Sequence, residues 1–378
     1  MIRIVADNKI PFLQGALEPV ARLSYLPGAT ITKKDLVDAD ALITRTRTLC
    51  NAELLEGTSV KFIASATIGF DHIDREYCRR KGIAWTNAPG CNAGSVIQYV
   101  SSAMAHILRE SQKSFGELTL GVIGAGHVGG RLAKLAAALG MRVLVNDPPR
   151  AREEGPKGFS SLEEVLREAD IISLHVPLNP DGPDPTFHLA DKEFFGKIKT
   201  GAWFINTSRG EVASTPALIK AIKKGKLSGL ILDVWENEPA IDPELLSLAS
   251  IATPHIAGYS ADGKANGTAM SVRAISHFFK LGLDDWQASN IPQAPNPVLS
   301  LPPKMESLED IFFLLSLQAY NIYTDDRALR QIPLAFESLR GDYPIRRESH
   351  ALKVQASHLD QEIQLFIRAL GYQLEIEN

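Results

Sequence analysis

Arg209, Glu238 and His255 are three residues of the kind that bind carboxylates and move protons, and each follows a short apolar run. The runs, at 203–205, 230–232 and 250–252, read as buried parallel strands. Ligands of open parallel sheets bind beyond the carboxyl ends of the strands, so the three side chains are expected on one rim. Together they suit hydride removal from a 2-hydroxy acid. A neutral imidazole can take the alcohol proton as the hydride departs, which makes His255 the base. A carboxylate on the other ring nitrogen fixes the tautomer, the role expected of Glu238. Arg209 offers a planar fork of donors to the substrate carboxylate. This chemistry requires no metal.

The hydride needs an acceptor, and residues 118–147, LTLGVIGAGHVGGRLAKLAAALGMRVLVND, read as strand, turn, helix, strand. Gly124 permits the tight turn, Gly126 lets the backbone approach a pyrophosphate, and Gly129 lets helix and sheet pack closely. His127 and Val128 complete the turn, and the helix N-terminus supplies N–H groups for the anion. Asp147 follows Gly124 at about the 20-residue separation expected of a carboxylate on the ribose hydroxyls. An acid there repels a 2′-phosphate, so the expected cofactor is NAD, although Arg150 and Arg152 nearby work against that preference.

The elements that must hold these residues follow from length and pattern. A chain of 378 residues suggests two or three domains. Lys plus Arg (40) nearly balances Asp plus Glu (44), so no global basic field for nucleic acid exists. Three scattered cysteines, Cys50, Cys78 and Cys91, indicate neither a disulfide framework nor a metal site. With no apolar leader or membrane-length run, the expectation is a cytoplasmic protein. Strand-like runs at 2–5, 41–44, 61–64 and 83–86 make a first α/β layer, followed by a long helix at 92–109. Six strands (120–123, 142–146, 171–174, 203–205, 230–232 and 250–252), with helices at 161–167, 215–223 and 242–248, make a full dinucleotide-binding sheet. A helix at 261–279 returns the chain to the first layer. The expected domains are therefore 1–96 with 258–286, and 97–257. Closure about crossings near 97 and 260 is expected. Residues 287–304, QASNIPQAPNPVLSLPPK, read as a proline-rich linker, and 287–378, with helical runs at 311–317 and 363–370, as a dimerisation element.

GAGHVGG, INTSRGEV, DVWENEP and TPHIAG resemble, in order and spacing, the D-isomer-specific 2-hydroxyacid dehydrogenases. The resemblance implies that Arg209, Glu238 and His255 are catalytic. A narrower resemblance, to a branch of that family with a phosphorylated substrate, rests on ATIGFDHID, NAPGCNA, DPPR, PLNPDGPDPTFHL and PHIAGYSADGKANGT and on the C-terminal extension. It implies oxidation of 4-phospho-D-erythronate to (R)-3-hydroxy-2-oxo-4-phosphobutanoate in vitamin B6 synthesis. It further implies NAD positions at Asp147, Val176, Thr207, Ser208, Arg209, Asp233 and Gly258, and substrate positions at Thr46, Thr67 and Tyr259. The implied architecture is α/β: two doubly wound parallel-sheet domains, a Rossmann NAD domain and a flavodoxin-like substrate domain, plus a small C-terminal α+β dimerisation domain that makes a homodimer.

Arg45 and Arg47 follow the 41–44 strand, and alternation along extended backbone puts both on one face. One or both are expected to bind the phosphate, and Arg346 or Arg347 from a partner's tail is a further candidate. His72 and His188 are expected to be structural. A dehydrogenase for another 2-hydroxy acid, such as phosphoglycerate, and a non-catalytic NAD sensor are the competing readings. The complete Arg209, Glu238 and His255 set argues against the sensor.

Overall fold

A computed structural model describes all residues of the chain except Pro303, Glu306, His358 and Asn378. The chain forms two compact units, Met1–Asn92 with Ser260–Pro292, and Ala93–Tyr259 with Gln293–Asn378.

The first unit is built on five parallel strands in the order β2-β1-β3-β4-β5. They are β1 (Ile2–Asp7), β2 (Ala21–Leu26), β3 (Ala41–Thr44), β4 (Phe62–Ser65) and β5 (Ala84–Thr86). This is the flavodoxin-like order, with its switch point between β1 and β3. β3 and β4 are buried along their whole length, which is why their apolar runs are continuous in the sequence. β2, ARLSYL, was not expected. It lies at the sheet edge with only Ala21 buried, so its pattern is diluted by Arg22 and Ser24. The Ala261–Phe279 helix returns to this unit and covers one sheet face with Val272 and Ile275.

His72 is buried in this unit, and neither ring nitrogen is hydrogen-bonded among the described residues. Burial pushes its pKa down from 6.5 to about 4. The unfolded chain therefore binds a proton that the folded chain refuses, and stability falls as pH drops from about 6.5 towards 4. His72→Leu should flatten that fall by an amount on the order of 3 kcal/mol, read from urea midpoints at pH 7 and pH 4.5. An unchanged slope would show that His72 escapes its pocket when protonated.

The second unit holds six parallel strands in the order β11-β10-β9-β8-β6-β7. They are β6 (Thr119–Ile123), β7 (Arg142–Asn146), β8 (Ile171–Leu174), β9 (Ala202–Asn206), β10 (Leu227–Leu232) and β11 (Ile251–Ala252). All six coincide with strands expected from the sequence. The direction of winding reverses between β6 and β8, so the glycine turn sits at the switch point. Beyond β7 the sheet is extended by one backbone bond, from Ser160 N to Val145 O at 2.7 Å. The Ala93–Ser111 helix buries Val96, Tyr99, Val100, Ala103, Met104 and Ile107. The helices Leu162–Glu168 and Pro243–Leu248 are capped by Ser161 and Asp242, whose side chains accept backbone N–H groups.

The C-terminal segment belongs to this second unit. A three-stranded parallel sheet, β12 (Val298–Ser300), β13 (Lys353–Ser357) and β14 (Gln373–Glu377), is joined by helices that include Leu308–Ala319 and Gln361–Ala369. Residues 287–304, read as a linker, contain β12. An edge strand of three residues pairs on one side only, so flanking prolines do not prevent it. Leu308–Ala319 packs along Ala93–Ser111, where Phe115 meets Phe312 edge to face at 5.3 Å. Arg330 donates to the carbonyls of Leu246 (2.8 Å) and Ala249 (2.7 Å). Asp326 accepts the Ala252 N–H at 2.7 Å.

Candidate active site

The glycine turn is dictated by contact as well as by conformation. Gly124 has φ +89°, and a Cβ there would lie 2.7 Å from the His175 carbonyl oxygen and 2.8 Å from Val176 Cγ1. A Cβ on Gly129 would lie 1.9 Å from Gly124 O. Gly126 has open space where its side chain would be, which is the room a pyrophosphate needs. His127 and Val128 precede the Gly129–Ala138 helix.

Asp147 accepts the Ala125 N–H at 2.7 Å with one carboxylate oxygen and the Arg150 N–H at 3.1 Å with the other. It thereby pins the glycine turn and caps the Pro148–Glu154 helix. Arg150 is paired with Glu154 at 2.6 and 2.8 Å, and its Nη1 donates to Ala125 O at 2.6 Å. Arg152 is paired with Asp184. Both arginines that worked against NAD are thus engaged with carboxylates of the chain.

After β9 the chain turns sharply. Asn206 holds the turn by accepting from the Ser208 N–H (3.0 Å) and hydroxyl (2.8 Å) and donating to Arg209 O (2.9 Å). The Arg209 guanidinium donates to Ser208 O at 2.8 Å. A Cβ on Gly210 would lie 1.9 Å from the Trp235 carbonyl carbon, so glycine there lets the Arg209 turn close on the loop that carries Glu238. Thr207 Oγ1 is buried and has no hydrogen-bond partner among the described residues. A hydroxyl in that condition fits a cofactor or water atom able to complete its hydrogen bonding.

Glu238 and His255 form a pair, with His255 Nδ1–H donating to Glu238 Oε2 at 2.8 Å. The second carboxylate oxygen accepts the Trp235 N–H at 3.0 Å. Burial pushes the Glu238 carboxyl up. The hydrogen bond and charge of His255, the Trp235 N–H and the Arg340 charge outweigh it and hold the group below the ordinary carboxylate value. Glu238 is therefore ionised at neutral pH, and with Nδ1 donating, Nε2 is left as the ring nitrogen with a lone pair able to accept a proton.

His255 has φ +57°, a backbone state that costs a non-glycine residue about 1 kcal/mol or more. Asp233 is the device that enforces it. Its carbonyl accepts the His255 N–H at 2.7 Å, and its buried carboxylate accepts Ile256 N–H (2.8 Å), Ala257 N–H (2.9 Å) and the Thr253 hydroxyl (2.6 Å). Gly258 and Tyr259 continue this loop, and the Tyr259 ring meets Tyr343 edge to face at 5.8 Å.

The first unit carries its own candidates. Arg45 is bound to Asp7 by Nε (2.9 Å) and Nη2 (3.3 Å), and Asp7 is fully buried at the carboxyl end of β1. Thr46 and Arg47 are exposed and form a turn, so the alternation expected along extended backbone does not apply. Thr67 lies after β4, and its hydroxyl meets Ser65 Oγ at 2.9 Å and Gly69 O at 3.1 Å. Arg346, one of the two tail arginines offered as a partner's contribution, is buried in its own chain on Ser95, Ile256 and Ala257. Asp233's carboxylate and Asn206 hold the rim by bonds to backbone, for which the sequence has no spacing signal. His188 meets Glu236 at 2.6 Å, and Glu236 accepts the Thr215 N–H.

Residues 98–257 match the family described as D-isomer specific 2-hydroxyacid dehydrogenase, NAD binding domain. Residues 291–371 match a domain of unknown function, DUF3410. The erythronate-4-phosphate dehydrogenase of Bacteroides thetaiotaomicron is 49% identical over 93% of this chain and 99% of its own. That of Pseudomonas aeruginosa (strain PAO1) is 39% identical over 99% of this chain and 100% of its own. Among solved structures, the D-lactate dehydrogenase of Aquifex aeolicus complexed with NAD and lactic acid is 31% identical. It aligns with a TM-score of 0.62 over 75% of this chain and 96% of that one. The NAD+-bound 3-phosphoglycerate dehydrogenase of Entamoeba histolytica, 25% identical, aligns with a TM-score of 0.63 over 77% and 99%. With relatives of this identity spanning nearly its whole length, the chain belongs to the erythronate-4-phosphate dehydrogenases, within the D-isomer specific 2-hydroxyacid dehydrogenase family.

Proposed function

We propose that the protein oxidises 4-phospho-D-erythronate at C2 to (R)-3-hydroxy-2-oxo-4-phosphobutanoate with NAD, in the synthesis of pyridoxal 5′-phosphate. The observation that carries the reading is the 2.8 Å bond between His255 and an ionised Glu238, in the unit whose glycine turn lies at the sheet's switch point. NAD, when bound, supplies the hydride acceptor. The cradle at Gly124, Gly126, His127, Val128 and Gly129 would take its pyrophosphate, and Asp147 its ribose hydroxyls. Val176, Thr207 Oγ1, Ser208, Asp233 and Gly258 would complete the cofactor contacts.

The chain's own residues do the rest. Arg209 binds the substrate carboxylate and draws electron density from the C2 oxygen as it becomes a carbonyl. The C2 hydroxyl proton passes to His255 Nε2, while the C2–H electron pair leaves with hydrogen as hydride. The imidazolium that results is stabilised by Glu238. The phosphate is assigned to Arg45, Thr46, Arg47 and Thr67, with Arg45 anchored on Asp7, and Tyr259 is assigned to the substrate as well. A homodimer formed through 287–378 and a cytoplasmic location belong to the same proposal. Three free, buried cysteines suit a reducing compartment. Among the described residues no helix is long and apolar enough to cross a membrane.

The test is NAD reduction by purified protein with 4-phospho-D-erythronate, D-erythronate and 3-phosphoglycerate side by side. A kcat/KM higher by about 10² or more for the first than for D-erythronate is expected, because the unphosphorylated acid forfeits charge-assisted hydrogen bonds from the arginines that follow β3; 3-phosphoglycerate, which keeps a phosphate on a shorter carbon chain, tests chain length. Equal rates for all three would overturn the substrate assignment.

A further inference from the structure

The segment at 343–348 contains a buried cation whose partners lie far away in sequence. Arg346 is 6% exposed. Its Nη2 donates to Ser95 Oγ, to Ala257 O at 2.5 Å and to Ile256 O at 3.2 Å. The Ser95 hydroxyl also donates to Ala257 O, at 2.9 Å. Among the described residues, Nε and Nη1 are buried without hydrogen-bond partners. They lie among aromatic faces, with the guanidinium carbon 4.4 Å from the Tyr320 ring centroid and 5.7 Å from that of Tyr343. The hydroxyls of those two tyrosines donate to Asp325 at 2.7 and 2.8 Å. The guanidinium is thus balanced by two rings and an acid beyond them, a costly arrangement for a residue that only fills space.

Its neighbours thread the same strip of the fold. Glu348 is buried where a Cβ on Gly94 would sit, and Gln98 Nε2 donates to Arg347 O at 3.0 Å. The strip therefore lies along the first turns of the Ala93–Ser111 helix.

The peptides that Arg346 holds immediately follow His255. Asp233 accepts the N–H groups of Ile256 and Ala257 on one side, and Arg346 donates to the carbonyl groups of the same two residues. The loop is gripped from both edges one residue beyond a histidine with φ +57°. A left-handed residue relaxes unless its surroundings over-determine it.

We propose that Arg346 is a positioning residue for His255, and that the C-terminal segment, through it, holds the proton-accepting loop in its working geometry. This assigns a task to residues within 291–371 and rests on the dehydrogenase reading above. Arg346 touches no reacting atom. It acts through two carbonyls, and a displacement of about 1 Å in such a support can lower turnover by around 10²-fold.

The experiment compares wild type with Arg346→Lys and Arg346→Met. An ammonium places its donors on one atom and cannot reproduce the planar fork. Expected are a fall in kcat of about tenfold for Arg346→Lys and about 10²-fold for Arg346→Met, with NAD affinity by calorimetry within about threefold. Amide hydrogen exchange at Ile256 and Ala257 should quicken by about tenfold or more, while β6 to β9 keep their protection. Wild-type kcat in Arg346→Lys with unchanged exchange at 256–257 overturns the proposal. So does faster exchange spread evenly over the unit, which marks a packing role alone. If Arg346→Met does not fold, Arg346→Lys alone decides. If wild type fails to oxidise 4-phospho-D-erythronate, the substrate reading fails by itself, and the exchange at 256–257 still tests the grip.

Discussion

Replacing His255 by Asn should lower kcat by about 10² to 10⁴-fold, the range contributed by a positioned general base, while NAD affinity stays within about twofold. The amide keeps a polar group of similar size against Glu238, so the change removes the proton acceptor and leaves the loop. Asp233 holds His255 through its backbone N–H, a bond that any residue at 255 can make, and asparagine tolerates the left-handed backbone better than most. Single-turnover rates beside equilibrium binding of the cofactor check this directly. A kcat within a few-fold of wild type would remove His255 from the reaction and return the non-catalytic sensor to consideration.

Arg209→Lys should lower kcat/KM for the hydroxy acid by about 10² to 10³-fold, equivalent to roughly 3 to 4 kcal/mol of charge-assisted hydrogen bonding. The positive charge survives in this variant, so the loss measures geometry. One arm of the Arg209 fork donates to Ser208 O and fixes the plane, and a lysine ammonium has no second arm to aim at the same time. The loss should appear in both KM and kcat if the carboxylate contact tightens as the carbonyl forms. An effect on KM alone would restrict Arg209 to holding the ground state.

What could be read from the sequence follows a physical division. The six strands β6 to β11 are covered on both faces, so each appears as an apolar run, and the residues that follow them are where the sheet topology places ligands. The glycine turn was legible for a related reason: contacts below 3 Å at Gly124 and Gly129 admit no other residue. β2 was not legible, because an edge strand with one buried residue has no pattern to distinguish it from a loop. β12 was hidden among prolines. Arg346 is legible as a tail charge, and its neighbours are not. Its partners are carbonyls of Ile256 and Ala257, 90 and 89 residues away, and a backbone acceptor is the same at every position of every chain. The turn at Thr46 and Arg47 was missed because the apolar run before it says where a strand is buried and nothing of how it ends.

Asp147 has a consequence for how such a protein could change its appetite for coenzymes over evolutionary time. Exchanging this acid for a neutral or basic residue is the obvious first step towards accepting a phosphorylated ribose. Here the same carboxylate is a structural pin for Ala125 and for the Pro148–Glu154 helix, and the arginine best placed to welcome a phosphate, Arg150, is committed to Glu154 and to the carbonyl of Ala125. A lineage drifting in that direction would lose the shape of its glycine turn before it gained a new partner. The preference is thus protected by the architecture, and a laboratory redesign would have to rebuild residues 147–154 as a block rather than edit one position.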